Sequence, residues 1–170
     1  MGDASTDDRP GVYLAGPSGF TEPGRQWHVE VLRPAVEAAG FRPLDPWESG
    51  MTIFVPVLSL PEGPERDAAL PEANRRAGEA NCELIREAAA VLAVLDGTDV
   101  DSGTAAEIGY AGALGVPVVG LRTDIRLSGD NPATTVNLQV QYFLAELCAD
   151  VNTAVDALRR IVTLTRTETS

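Results

Sequence analysis

Basic residues are scarce in this chain: 13 stand against 25 acidic ones in 170 residues, a formal net charge of −12. A surface so acidic repels phosphate backbones and anionic headgroups, which argues against nucleic acid and membrane as partners and favours a small neutral ligand. Cysteine and histidine are nearly absent. Cys82 and Cys148 lack metal-ligand spacing, and the sole histidine, His28, has no such neighbour in sequence, so no metal site is expected. Two cysteines fit a reduced, cytoplasmic setting. Long apolar runs are missing too: the longest, AAAVLAVL at 88–95, is too short to span a bilayer. The opening MGDASTDDRP has neither the basic nor the apolar region of a signal peptide. GPSGF at 16–20 lacks the G-x-S-x-G spacing and His28 is the sole candidate base, which sets a serine hydrolase aside.

What remains is globular: 44% hydrophobic and 22% charged, in a length that suits one domain with a substantial core. The expected domain spans 11–165, between tails at 1–10 and 166–170. GVYLAG at 11–16 reads as a buried strand ending in a turn. Trp27, Val31, Leu32, Val36 and Ala39 recur at helical spacing between Glu22 and Ala39, with Pro34 bending or interrupting the helix and Gly40 ending it. FRPLDPW at 41–47 reads as a second strand. Residues 48–66, rich in Gly and Pro, read as a long surface excursion with a short strand at TIFVPV. A helix follows from about Ala68 to Ala89, with Pro71 in its first turn. AVLAVLD at 90–96 is a continuous apolar strand, the pattern of a sheet covered on both faces. A helix at 104–114, the strand VPVVGL at 116–121, a polar loop at 122–136 and two C-terminal helices complete the chain. Strand, loop, helix and strand within about 30 residues make a βαβ unit. The fold class is therefore α/β: a three-layer, flavodoxin- or Rossmann-like domain with a mostly parallel central sheet.

Ligands of such sheets bind beyond the carboxyl ends of the strands. Loops GPSGF, DPW and DGTDVDSGT emerge there and bring Tyr13, Phe20, Asp45, Trp47, Asp101 and Glu107 towards one another. Thr104 and Glu107 have the spacing of a helix capping box, in which Glu107 reaches back to the Thr104 amide. Asp96, Asp99 and Asp101 crowd the same turn, so the alternative is a reactive carboxylate cluster. Aromatics beside paired carboxylates suit glycosyl transfer from a flat-ringed leaving group that needs a proton.

The segments VYLAGPSGF, DPW, NCELIREAAAVLAVLDG, DVDSGTAAEIGYAGALGVPVVGLRTD and VNLQVQYF, in this order from about residue 11 to 147, resemble the nucleoside 2-deoxyribosyltransferase family. DSGTAAEIGYA and VNLQV carry most of that resemblance. It implies a double displacement, in which a glutamate attacks C1′ of a 2′-deoxynucleoside, expels the base and holds the deoxyribosyl group until a second base attacks. By motif position the nucleophile is Glu107, whose expected place in a first helical turn favours the ionised carboxylate. The resemblance makes Asp101 the acid that protonates the departing base, which requires a carboxyl still holding a proton near neutral pH; a neighbouring Glu107 charge favours that form. Tyr13 matches a tyrosine that orients the nucleophile, and Asn137 an asparagine supplied by a neighbouring subunit to the sugar hydroxyls. Phe20 and Trp47 are expected to sandwich the base, and Gly16, Ser102 and Gly103 to line the substrate.

Taken alone, several of these positions have plainer readings. Asp101 serves equally as a turn residue bonded to its own backbone, Tyr13 as a core tyrosine, Asn137 as a helix N-cap, and Tyr110 as packing. The chain also departs from the family pattern. Asn81, or Cys82 on an alignment shifted by one residue, stands where some relatives carry an aspartate, and Gln139 where an apolar methionine is common. No cofactor or metal is implied. Expected partners are a 2′-deoxynucleoside, a free nucleobase and further copies of the chain, in a dimer or a larger assembly such as a hexamer. Two rival functions stay open. One is an N-glycoside hydrolase of nucleosides or 5′-monophosphates using the same glutamate, with Ser18, the amides near Gly19 and Arg25 as weak phosphate ligands. The other is a non-catalytic nucleotide-binding sensor.

Overall fold

The computed structural model describes residues 7–168, with side chains to 165; residues 1–6 and 169–170 of the expected tails lie outside the described residues. Five strands form one sheet: β1 (Gly11–Ala15), β2 (Arg42–Leu44), β3 (Ala90–Val94), β4 (Val118–Leu121) and β5 (Leu144–Cys148). Their spatial order is β2-β1-β3-β4-β5 and every pairing is parallel. Alternation along each strand divides the core between the two faces. Val12, Leu14, Leu92 and Val94 meet Leu32, Val36 and Leu158 on one side. Tyr13, Ala15, Val91 and Ala93 meet Ile85 and Ile108 on the other. Continuous apolar strands follow from burial on both faces, which gives the three layers expected from the sequence.

The first face is covered by α1 (Glu22–Trp27), α2 (Arg33–Ala38) and the C-terminal α7 (Val151–Glu168). A wide π-type turn at His28–Leu32 joins α1 to α2. Pro34 has no amide hydrogen to continue the α pattern, and the loosened turn before it absorbs the defect. The turn also shifts the buried stripe: Leu32 and Val36 are buried, whereas Val31, expected to join them, is exposed.

Three expectations fail. Residues 48–66 do not wander over the surface and form no strand; α3 (Pro46–Leu58) occupies most of them, and α4 (Pro64–Glu87) starts before Ala68. Pro71 is consequently interior to α4, as Pro56 is to α3. Both prolines lie on exposed faces, where a carbonyl that loses its helical partner is accessible to solvent. The overlooked signal was the spacing of Trp47, Met51, Phe54 and Leu58, three and four apart, which outweighs the β-branched character of TIFVPV. At the other end, only α6 (Leu138–Tyr142) is helical within 137–148. Its last turn closes with the Phe143 amide on the Val140 carbonyl, and the chain then extends as edge strand β5. A polar Glu146 amid leucines, paired with Arg160 of α7, is the alternation of an edge.

The third failure concerns α5 (Ser102–Ala113). Its N-cap is Asp101, not Thr104: the Asp101 carboxylate accepts from the Thr104 amide at 2.9 Å and the Thr104 hydroxyl at 3.1 Å. Glu107 is therefore the sixth helical residue, too far along to close a capping box and beyond the first turn where the helix dipole acts most strongly.

Leu92 lies in the central strand with no exposed surface. Replacing it with alanine is expected to cost roughly 2–5 kcal/mol of unfolding free energy, read as a lower urea midpoint with an unchanged slope.

Candidate active site

The strand order reverses between β1 and β3, so the loops after these strands diverge and leave a crevice at the carboxyl edge of the sheet. A cavity of about 460 Å³ occupies it, within the range of small-ligand sites. One wall is α3, which presents Trp47, Gly50, Met51, Phe54 and Leu58; the others come from Gly16 and Phe20, from Ala77 and Asn81 of α4, and from Asp101, Gly103, Thr104 and Glu107.

Tyr13 points to the α4/α5 face of β1 because it is one residue out of phase with Val12 and Leu14. Fully buried, it donates its hydroxyl to Glu107 Oε1 at 2.7 Å. Asn81 Nδ2 reaches the same oxygen at 3.4 Å, so Glu107 Oε2 has no hydrogen-bond partner among the described residues. The amide of Asn81, rather than the thiol of Cys82, is the group in the cavity wall. Burial pushes the Glu107 carboxyl above its usual range; the Tyr13 hydrogen bond opposes this, and the like charge of Asp101 adds to it. Burial likewise pushes the Tyr13 hydroxyl upward, reinforced by the Glu107 charge, so the phenol stays neutral and remains a donor. Asp101 uses Oδ2 to cap α5 and keeps Oδ1 out of those bonds.

The first loop and α3 fix one another. The backbone of Gly16 has φ 157°, a conformation that favours glycine. The Gly16 carbonyl accepts from the Trp47 indole at 3.3 Å. At Gly19 a Cβ would fall 2.2 Å from the Trp47 ring, so only glycine allows the loop to lie on the indole. Asp45 caps α3 by accepting from the Trp47 amide at 2.9 Å and accepts from buried His28 at 2.7 Å. Burial raises the Asp45 carboxyl, but the bonds from His28 and Trp47 and the charge of Arg33 outweigh it and hold the group below its usual range.

Several expected residues are placed differently. Phe20 and Trp47 touch each other edge to face, with ring centroids 4.8 Å apart at 90°. They form one aromatic corner of the cavity rather than two parallel plates around a base. Ser102 is exposed at the start of α5 and is not among the lining residues. Asn137 caps α6 through its Oδ1, and neither it nor exposed Gln139 lines this chain's cavity. Tyr110 packs under the Arg86 guanidinium, 5.5 Å from the ring centre. Sequence reasoning missed Met51, Phe54 and Leu58, because the helix that carries them was read as a loop. Among the described residues no group of three or more His, Cys, Asp or Glu side chains is arranged to hold a metal ion.

A carboxyl raised by burial binds a proton more readily in the folded chain than in the unfolded one. Stability therefore falls as pH rises through the interval between the unfolded and folded values. Glu107→Gln removes that penalty and keeps an oxygen for Tyr13. The variant is expected to melt above the wild type at pH 7, with the gap closing as pH is lowered through the carboxylate range, measured by calorimetry.

No curated protein sequence matches the chain significantly. Among solved structures, a 2-deoxyribosyltransferase from the psychrotolerant bacterium Bacillus psychrosaccharolyticus superposes with a TM-score of 0.63 at 23% identity, covering 84% of this chain and 88% of the other. A 2-deoxyribosyltransferase from Leishmania mexicana gives 0.61 at 20% identity, covering 91% and 97%. A CMP N-glycosidase from Clostridium botulinum gives 0.51 at 15%, covering 88% and 97%. At such identities the likeness concerns the fold. The sequence profile of the nucleoside 2-deoxyribosyltransferases matches residues 12–143, more than three-quarters of the chain and all the cavity's residues, and on that ground the chain belongs to the nucleoside 2-deoxyribosyltransferase family.

Proposed function

We propose that the chain transfers a 2-deoxyribosyl group between nucleobases by way of a covalent ester on Glu107, with retained configuration at C1′. The observation that carries this reading is the asymmetric hold on Glu107. Tyr13 and Asn81 occupy Oε1 while Oε2 stays unpaired, beside a second carboxyl whose Oδ1 is outside its capping bonds. Oε2 attacks C1′ as the C1′–N bond breaks; the bonding pair goes to the base, which takes a proton from Asp101. An incoming base then attacks C1′ and returns a proton to Asp101 as the ester bond breaks, and two inversions give retention. Gly16, Phe20, Trp47, Gly103 and the amide of Asn81 hold the nucleoside, the base against the aromatic corner.

The cavity wall favours nucleosides over 5′-monophosphates. Its charged members are Asp101 and Glu107, with no cation to meet a phosphate. Arg25 of α1, the basic residue nearest the first loop in sequence, donates to the Gly19 carbonyl at 3.0 Å and lies outside the lining. A homo-oligomer completes the proposal, with Asn137 and Gln139 of one copy reaching a neighbour's site. Leu138 and Tyr142, exposed beside them on α6, supply apolar contact area. Cys82 and Cys148 are free thiols, in keeping with a cytoplasmic setting.

Incubation with 2′-deoxyinosine and adenine is expected to yield deoxyadenosine, resolved by chromatography. Glu107→Ala is expected to give none, and the acid limb of the wild-type rate profile should lie above that of an ordinary carboxylate, since activity needs the ionised Glu107. Hypoxanthine released equally with and without adenine makes the protein a hydrolase; silence with all deoxynucleosides and 5′-monophosphates leaves a binding module. Light scattering of the active protein is expected to give a multiple of 17.9 kDa, and full activity at the single-chain mass would overturn the shared site.

A further inference from the structure

The loop that carries Asp101 is fastened from behind by two residues outside the cavity. Arg122, the first residue after β4, is only 5% exposed, yet no carboxylate lies within ion-pair distance of it among the described residues. Its guanidinium donates to backbone carbonyls instead: to Leu95, to Gly97 at 3.1 Å and to Arg126 at 2.6 Å. Asp96 answers in the opposite direction. Its carboxylate accepts from the Thr123 amide and hydroxyl, each at 2.6 Å, and from the Asp124 amide at 2.9 Å. Five of these hydrogen bonds tie the loop leaving β3 to the loop leaving β4, and the sixth, to Arg126, braces the second loop on itself.

Burying a guanidinium without a counter-ion is expensive, and an apolar side chain would fill the same core position more cheaply. The arrangement makes sense as a means of fixing backbone. Between Gly97, held by Arg122, and Asp101, held by its own cap on α5, only three residues are free of these anchors. The loop is pinned at both ends, and the Asp101 carboxyl has little room to drift. We propose that Arg122 and Asp96 form a clip that positions Asp101 for proton donation to the departing base, which makes Arg122 a positioning residue; this rests on the transfer reaction proposed above.

Two substrates separate this role from a merely structural one. The hypoxanthine of 2′-deoxyinosine leaves with the C1′–N9 pair and needs a proton from Asp101. The base of 7-methyl-2′-deoxyguanosine is already cationic; the same pair neutralises its ring, and no proton is required. Arg122→Lys keeps a cation but cannot span three carbonyls. It is expected to lower kcat/KM for 2′-deoxyinosine by roughly 10- to 100-fold, a part of the roughly 100- to 10,000-fold that a general acid contributes. With the 7-methyl substrate it should stay near wild type, at a temperature where circular dichroism shows the variant folded. Equal loss on both substrates, or no loss on either, overturns the proposal. Asp96→Asn is expected to show the same selectivity to a smaller degree, and it decides the question should Arg122→Lys fail to fold. If the wild type cleaves neither substrate, the transfer reading itself has failed. The clip is then judged by hydrogen exchange of amides 98–104, where faster exchange in the folded variant supports the hold and unchanged exchange removes it.

Discussion

Glu107 carries its charge where water has been largely displaced, and the phenol of Tyr13 is what the sheet offers in exchange. A hydrogen bond to a charged group contributes roughly 1.5–3 kcal/mol. That is enough to matter to the carboxylate, though burial still holds Glu107 above its usual range. The bond also joins two layers of the fold, since Tyr13 belongs to β1 and Glu107 to α5. Its geometry depends on the phase of β1, on the packing of Ile108 and Ala111 beneath α5, and on where α5 begins. Asp101 sets that beginning by capping the helix. A shift of one residue in the start of α5 would rotate Glu107 by about 100° and aim it away from the phenol.

The two carboxylates are therefore differentiated by backbone. One lies in the second turn of α5, half-buried, with one oxygen engaged. The other lies at the helix boundary, with one oxygen committed to amide and hydroxyl donors of the first turn. Two like groups in one cavity thus acquire different surroundings with no basic side chain among the lining residues, and differing surroundings are the usual way in which a pair of acids divides nucleophile from proton donor.

Much of this was legible in the chain. β1, β3 and β4 show as uninterrupted apolar runs because both of their faces are covered, and in a parallel sheet the loops after β1, β2 and β3 had to converge at one edge. Tyr13, Asp101 and Glu107 were found as a set for that reason and by the family's motif. The helical identity of α3 was obscured by local chemistry: Pro56 and the β-branched residues of TIFVPV speak against a helix, whereas packing against α4 and an exposed proline permit one. Strand β5 was hidden by the apolar periodicity of α6, which runs on past Phe143. The capping box failed because Asp101 competed for the same amide and won. The contact between Phe20 and Trp47 rests on Gly19, whose missing side chain is visible in a sequence but whose neighbour is not.

Helix α3 contains no buried residue, although it forms the widest wall of the cavity. The core would close without most of its side chains. Its attachment is the Asp45 cap, the Trp47 indole and its packing along α4. The carboxylate pair and the outline of the cavity thus have separate supports: the first rests on the sheet and α5, where change is costly, the second on an outlying helix that tolerates it. Gly50, Met51, Phe54 and Leu58 can therefore change, and the shape of the cavity with them, while Tyr13 and Glu107 keep their places beneath.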